Sequence, residues 1–186
     1  IEQTTGARLT VSYGRIGGVR DDLPEDFEEN WAYTRERILN LHDEVDRLLS
    51  RNRIFMDRMQ GTGAIDPDSA IDWGYTGPVL RSAGCDYDVR KDHPYFMYDQ
   101  VDFDVPVGEK GDNYDRYLVR MAELKESIRI VDQCLEQMEP GPVNADDPRV
   151  VLPEKEKVYN TIEGMMNHFK LIFEGIQVPP GEVYSY

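Results

Sequence analysis

The first long pattern of apolar positions lies in the amino-terminal quarter of the chain. Between Pro24 and Ser50, apolar and aromatic residues recur at steps of three and four, the spacing of one helix face. Proline suits the first turn of a helix, where its missing N–H would have no partner. The pattern predicts a helix over 24–50, with His42 in a surface hydrogen bond to Asp46 one turn further on. Its apolar stripe comprises Phe27, Trp31, Thr34, Ile38, Leu41, Val45 and Leu48.

Two more helical patterns occupy the second half of the chain. The stronger one runs from Asp112 to Met138, about 40 Å of helix at ~1.5 Å per residue, and ends at a Pro-Gly-Pro run. The other runs from Glu154 to Glu174, and Gly175 supplies a C-terminal stop. We expect the second helix to bury one apolar stripe, formed by Val158, Ile162, Met165, Phe169 and Ile172.

Glycine and proline divide the remaining chain into short segments. Two short helices are predicted, one near 53–60 and one that begins at Asp66-Pro67 and stops at Gly74. The fold class is therefore mainly α, a single helical core of long amphipathic helices with an irregular middle segment and little strand. Its divisions are an opening segment with a glycine turn (1–23), helices (24–76), an irregular segment (77–111), two long helices (112–175) and a closing tail (176–186).

The composition is that of an acidic, water-soluble chain. Its 186 residues include 40% apolar ones, enough for the core of one domain. Lysine and arginine number 21 against 36 acidic residues, and the formal charge of −15 disfavours nucleic acid as a partner. A solvated acidic face explains this charge more simply than a specific cationic partner. The short apolar runs predict neither a secretion signal nor a membrane span, and two distant cysteines favour the reducing cytoplasm.

No self-contained catalytic site is evident in the sequence. The three histidines are widely separated and lack metal-ligand spacing. Gly61-Thr62-Gly63 follows a predicted helix, so it indicates a cap and turn instead of a phosphate-binding loop. Two isolated cysteines cannot hold an iron–sulfur cluster, which takes four thiolates. Any redox centre is therefore expected to belong to a neighbouring protein.

The middle segment and the following helix are rich in Arg and Asp. Close-set Arg and Asp side chains favour charge-assisted pairs that can pin an irregular backbone, and we prefer this structural role to direct catalysis. His168 fits a polar contact between helices better than a proton relay. The predicted structural polar network comprises Arg81, Asp88, Arg90, Arg116, Arg120 and His168.

Six strings, in this order and spacing, resemble one family: the D subunit of bacterial NADH:quinone oxidoreductase, respiratory complex I. The resemblance covers essentially the whole chain, and its weight lies in the combination instead of in any one string. The strings are Arg15-Ile16-Gly17-Gly18-Val19 with Asp22-Leu23-Pro24; Leu80-Arg81-Ser82-Ala83-Gly84 with Tyr87-Asp88-Val89-Arg90-Lys91; Phe103-Asp104-Val105-Pro106-Val107-Gly108-Glu109; Glu139-Pro140-Gly141-Pro142; His168-Phe169-Lys170; and Pro179-Pro180-Gly181-Glu182-Val183-Tyr184.

The resemblance implies the helical core shared with nickel–iron hydrogenase large subunits. It also implies a place in the peripheral arm of complex I, on the cytoplasmic side of the bacterial inner membrane. The partners would be the protein that holds the terminal tetranuclear iron–sulfur cluster and a neighbour like the family's C subunit, with quinone bound between subunits and NADH reached only through the complex. The family's quinone-binding histidine and tyrosine match no residue of this chain, so we expect this stretch to bind no cofactor and no metal and to be inactive alone.

The pattern around Arg8-Leu9-Thr10-Val11-Ser12-Tyr13 matches a family segment close to the neighbour's cluster. Many members have a histidine after the equivalents of Arg8 and Leu9, whereas this chain has Thr10. Threonine does not titrate at physiological pH, so the resemblance predicts a cluster without this histidine's pH-dependent tuning, as for a low-potential quinone such as menaquinone. Arg8 and Arg15 are the candidate cations near that cluster, although Arg15 could equally anchor the glycine turn.

Two other functions fit the residues. An acidic helical module that docks on a basic partner would need no cofactor. A membrane-bound nickel–iron hydrogenase large subunit would carry cysteine pairs near both termini of its full-length chain.

Overall fold

A computed structural model describes residues 1–183 of the chain and confirms a mainly α fold. The chain divides into two compact units, residues 28–139 and residues 1–27 with 140–186. The elements in chain order are α1 (Glu2–Thr5), β1 (Gly14–Arg15), β2 (Gly18–Val19), α2 (Phe27–Val45), a π-helical turn (Asp46–Ser50), α3 (Arg53–Met59), α4 (Pro67–Asp72), α5 (Gly77–Ser82), α6 (Val89–Asp92), α7 (Asn113–Glu136), α8 (Lys155–Asn160) and α9 (Ile162–Phe173).

Helix α7 is the longest element of the 28–139 unit, and α3 and α5 pack against it. Its amino terminus is capped by Asp112, whose carboxylate accepts from Asp115 N at 2.9 Å and from Gly61 N at 2.8 Å. Burial of this carboxylate would raise its pKa, but these backbone N–H donors hold the pKa below its usual range. The cap therefore stays ionised and ties the loop after α3 to α7.

Helix α2 begins three residues later than predicted and ends in a π-helical turn. The expected His42–Asp46 contact is wrong, because Asp46 accepts instead from Ser50 Oγ at 2.6 Å. His42 is buried, with Nε2 3.1 Å from Met121 O of α7 and Nδ1 3.2 Å from Asp43. The predicted apolar stripe is only partly buried, since Leu41 and Leu48 are more than half exposed.

The middle segment, predicted to be irregular, contains the short helices α5 and α6. Part of its remaining backbone bonds to side chains of α7, and part bonds to backbone groups of α5 or within turns. Gln133 bonds both the N–H and the C=O of Asp102, at 2.8 and 2.7 Å, and Glu126 accepts from Asp104 N at 2.9 Å. Between these anchors Phe103 is fully buried in a small cluster with Val101 and Ile130.

The other unit contains a β1–β2 hairpin and the helices α8 and α9. The hairpin pairs Gly14 with Val19 and Arg15 with Gly18, and Gly17 turns with a φ of 97°. Gly18 lies so close to the 143–145 segment that a Cβ there would approach Val143 O within 2.3 Å. This close approach explains the second glycine of the turn.

The prediction of a single helix over 154–174 is wrong, because the helix is interrupted at Thr161. Thr161 has extended backbone angles, and its Oγ1 accepts from Gly164 N at 3.0 Å, so it caps a new helix. The predicted burial of the apolar stripe is also wrong. Ile162 is 74% exposed, and Met165, Phe169 and Ile172 are each more than half exposed.

No helix among residues 1–183 combines the length and the low polarity that crossing a membrane would require.

Candidate functional site

The densest group of buried charges lies where α5 and α6 meet α7. Arg81, on α5, is only 6% exposed. Its Nε donates to Glu123 Oε1 of α7 at 2.8 Å, its Nη2 donates to the same oxygen, and its Nη1 donates to Tyr87 O at 3.0 Å. Nη1 also lies 3.6 Å from Asp88 Oδ2. One guanidinium thereby joins two helices and the loop between α5 and α6.

Asp88 is the amino-terminal cap of α6 and the second centre of this network. Its carboxylate, 4% exposed, accepts from Arg90 N at 3.0 Å, from Arg90 Nε at 2.9 Å and from Arg90 Nη2 at 2.6 Å. The guanidinium carbon of Arg90 lies 4.8 Å from the ring centre of Phe103, a cation–π distance. The three-residue turn thus closes on itself and rests on the aromatic core.

The electrostatics keep the Asp88–Arg90 pair of this network ionised. Burial would raise the pKa of Asp88, but the hydrogen bonds and charge of Arg90, with the charge of Arg81, hold the pKa below its usual range. The same bonds raise the pKa of Arg90. Two arginines and two carboxylates therefore balance, and a carboxylate held in this way has no proton to give near neutral pH. The chemistry favours a rigid connection over acid–base catalysis.

Arg116 and Arg120 lie on α7 but not in the Arg81 network. Arg116 Nη2 donates to Gly63 O at 2.6 Å and to Gly111 O at 2.7 Å, and its Nη1 donates to Asn113 Oδ1 at 2.7 Å. Its buried Nε has no hydrogen-bond partner among the described residues. Arg120 is exposed and donates to Arg116 O at 3.2 Å. Arg116 thus closes the loops around the amino terminus of α7.

The candidate residues near the amino terminus lie at the surface. Arg8 and Thr10 are exposed, and Arg8 Nε donates to Glu2 Oε2 at 3.0 Å. Arg15 is exposed on β1, and no carboxylate of the described residues pairs with it. His168 is half-buried on α9 and belongs to the same unit as these three residues, not to the unit of Arg81.

Several residues of these networks were not among the predicted site residues. Glu123 is the main partner of Arg81, 42 positions away in sequence, so no local pattern could pair them. Asp132 accepts from Trp31 Nε1 and from Arg35 Nε, both at 2.8 Å, and joins α2 to α7. Asp112 did leave a signal, because an Asp that directly precedes a helical pattern is a strong cap.

The two cysteines lie in different packing clusters. Cys85 packs with Ala70 and Leu80, whereas Cys134 packs with Phe103 and Ile130. In the region described, residues 1–183, no group of three or more His, Cys, Asp or Glu side chains could hold a metal ion. The thiolates present therefore do not fit the four-ligand set of a tetranuclear iron–sulfur cluster.

Comparison with known proteins identifies relatives over the whole chain. The family model described as "Respiratory-chain NADH dehydrogenase, 49 Kd subunit" matches residues 1–186. The D subunit of NADH-quinone oxidoreductase from Myxococcus xanthus is 57% identical over 183 residues, 98% of this chain and 44% of that protein. The D 2 subunit from Anaeromyxobacter sp. Fw109-5 is 54% identical over all of this chain and 43% of that protein. The D subunit from Geobacter metallireducens is 47% identical over 99% of this chain and 47% of that protein.

These matches confirm the family resemblance drawn from the six strings. The chain spans less than half the length of the curated relatives that it matches.

Proposed function

The chain belongs to the family of the respiratory-chain NADH dehydrogenase 49 Kd subunit, and on that premise we propose that it forms the helical part of a quinone-reducing complex I subunit. The observation that carries the proposal is an identity of 57% to the D subunit of an NADH-quinone oxidoreductase across almost all of this chain. In the whole complex, electrons would pass from NADH to quinone, coupled to ion translocation. This region would pack against the cluster-bearing protein and a neighbour like the family's C subunit, in the peripheral arm on the cytoplasmic side of the bacterial inner membrane.

The buried network around Arg81 supports a scaffold role for the 28–139 unit. Its charges are already paired within the chain, so a partner has little to gain from them. In the proposal, this network fixes α5 and α6 on α7. The surface that these helices present to neighbouring subunits is thereby kept rigid. Neighbouring subunits then supply the cluster, and quinone binds between subunits. The residues of the Arg81 network provide no ligands to either group.

The exposed residues at the amino terminus are the proposed contacts near the neighbour's cluster. Arg15 supports this role because it carries a charge, lies at the surface and pairs with no carboxylate of the described residues. A positive charge beside an iron–sulfur cluster stabilises the reduced state and raises its potential. Thr10, also exposed, would leave the potential without the pH dependence that a histidine gives, which suits a low-potential quinone.

Replacement of Arg15 by Met in the full-length subunit, within the assembled complex, tests the proposal. We expect a lower midpoint potential of the neighbouring cluster and a lower rate of NADH:quinone reduction, measured by potentiometry and by membrane assays. The matched control is Arg149→Met, since Arg149 is exposed in the same unit but pairs with Asp147. An unchanged potential and rate in Arg15→Met would contradict a role near the cluster.

The pH dependence of the same potential tests the Thr10 proposal. With Thr10 in place, the midpoint should change little between about pH 6 and 8, because threonine carries no titrating proton in this range. Thr10→His should introduce a fall of the midpoint with rising pH. A steep fall in the unaltered complex would contradict the proposal.

A further inference from the structure

An exposed aromatic loop follows α6 in the 28–139 unit. The loop comprises Pro94-Tyr95-Phe96-Met97, and every one of its residues is exposed. Phe96 is 93% exposed, and Tyr95 and Met97 are each more than 40% exposed. Single exposed apolar residues are ordinary on a protein surface, but three in succession form a patch.

The backbone of Phe96 is in an unfavourable conformation. Its φ is 51°, and among residues 1–183 it is the one non-glycine residue with a positive φ. This left-handed conformation brings Cβ towards the carbonyl oxygen, so glycine and asparagine occupy it far more readily than a bulky aromatic residue. A strained residue of this kind persists where its side chain is needed and its surroundings hold it.

The surroundings do hold the loop. The ring of Tyr95 lies 4.9 Å from that of Tyr98, which in turn lies 6.3 Å from the buried ring of Phe103. Two turns close the backbone, with Tyr98 N donating to Tyr95 O at 3.2 Å and Gln100 N donating to Met97 O at 2.9 Å. The exposed ring of Phe96 is therefore presented on a base already ordered by the core, which lowers the entropy lost on binding.

We propose that the aromatic loop is an anchor that inserts Phe96 into an apolar socket on a protein partner whose surrounding surface is positively charged. The charge follows from complementarity: among the exposed charged residues next to the loop, Asp92 and Asp99 outnumber Lys91, so the surface around Phe96 is acidic. The same charge repels an anionic lipid surface, so a protein socket is the occupant. A large aromatic side chain in a desolvated pocket is the usual form of an interface hot spot. The proposal rests on the proposed function only in placing this partner within a multisubunit assembly.

The test uses the full-length subunit in its assembled complex. Hydrogen exchange of residues 94–100 should slow at least about tenfold on assembly, and Phe96→Ala should weaken incorporation of the subunit roughly tenfold or more, as expected for loss of an aromatic hot spot. Phe96→Leu keeps apolar volume and should restore most of the incorporation. Trp73→Ala is the matched control, because Trp73 is 79% exposed in the same unit and lies outside the loop.

Two results would overturn the proposal. One is normal incorporation of Phe96→Ala together with equal exchange of residues 94–100 in the free and assembled subunit. The other is Phe96-dependent binding of the free subunit to vesicles of anionic phospholipid, which would make the loop a membrane contact. The proposed function is tested by a different experiment. It requires that deletion of the gene abolish NADH:quinone reduction, a result that does not depend on the role of Phe96.

Discussion

Two Asp-x-Arg turns, one in each unit, share nearly the same local geometry but lie in different surroundings. Arg90 donates to Asp88 from N, Nε and Nη2 at 3.0, 2.9 and 2.6 Å. Arg149 donates to Asp147 from the same three atoms at 2.9, 3.0 and 2.6 Å. The side chain of Arg90 is 25% exposed and that of Arg149 is 86% exposed. The hydrogen-bond pattern is local, and its importance for stability is set by what surrounds it.

The same contrast separates the two units more widely. In residues 28–139, buried carboxylates such as Asp88 and Asp112 are paired with arginine or backbone donors. In the other unit, the large apolar side chains of α9 are exposed, including Phe169 and Phe173, whose rings stack 4.3 Å apart. The 28–139 unit pairs these buried carboxylates internally, whereas α9 of the other unit presents a row of apolar side chains that a protein usually covers.

Neutralising the aspartate of each Asp-x-Arg turn, Asp88 or Asp147, should give the largest difference in the free energy of unfolding. Asp88→Asn leaves Arg81 and Arg90 without their shared buried counter-charge, and we expect a loss of about 3 kcal/mol in the free energy of unfolding of the 28–139 unit. Asp147→Asn removes the same bonds from a solvated turn and should leave stability unchanged. Urea unfolding with segment-resolved hydrogen exchange separates the two units. Equal losses in both variants would show that burial does not matter here.

The helix caps offer a smaller version of this comparison. Asp112 is 1% exposed and bonds two backbone N–H groups, so Asp112→Ala should cost about 2 kcal/mol from the lost cap and the unsatisfied Gly61 N–H. The exposed Asp66 caps α4 through Ser69 N, at 3.0 Å, and Asp66→Ala should have a smaller effect. Thermal unfolding measures both variants. A larger effect at Asp66 would contradict the importance given to the buried Gly61 contact.

Much of the fold was predictable from local pattern. The cap at Asp66 and the stop of α7 before Pro140 each have a signal within a few residues. The break at Thr161 was not predictable in this way, because threonine and Gly164 fit inside a helical period and only the cap geometry separates α8 from α9. The exposure of α9 was missed for a related reason. Periodicity marks which face is apolar but not whether anything covers it.

The candidate site was predictable in composition but not in connectivity. Arg81, Asp88 and Arg90 lie close together in sequence, so a charge-assisted network was foreseeable. Its anchor on α7, Glu123, is too distant in sequence for a local rule. The placement of Arg116 in a separate contact with Gly63 and Gly111 likewise depends on the loops that approach α7.

Acid titration of the two Asp-x-Arg turns gives the smallest expected effect on stability, and the solvated Asp147–Arg149 turn comes first. Arg149 holds the pKa of Asp147 at about 2, below the ordinary value of ~3.9. A carboxyl group whose folded pKa is lowered contributes stability above its ordinary value and loses that contribution as the pH falls through the folded pKa. Because the turn is solvated, this contribution is small. We expect Arg149→Met to move the carboxyl titration of Asp147, followed by NMR, towards ~3.9 with little change in the melting temperature.

For Asp88 the sign is the same but the consequence differs. Its lowered pKa is tied to a buried network, so the 28–139 unit should lose stability as the pH falls below the ordinary Asp value of ~3.9, and Asp88→Asn should flatten this fall. Hydrogen exchange of α5 and α6 at several pH values follows it directly. If α5 and α6 keep their protection at acid pH while the Asp88 carboxyl is protonated, the network would be dispensable for the packing of these helices on α7.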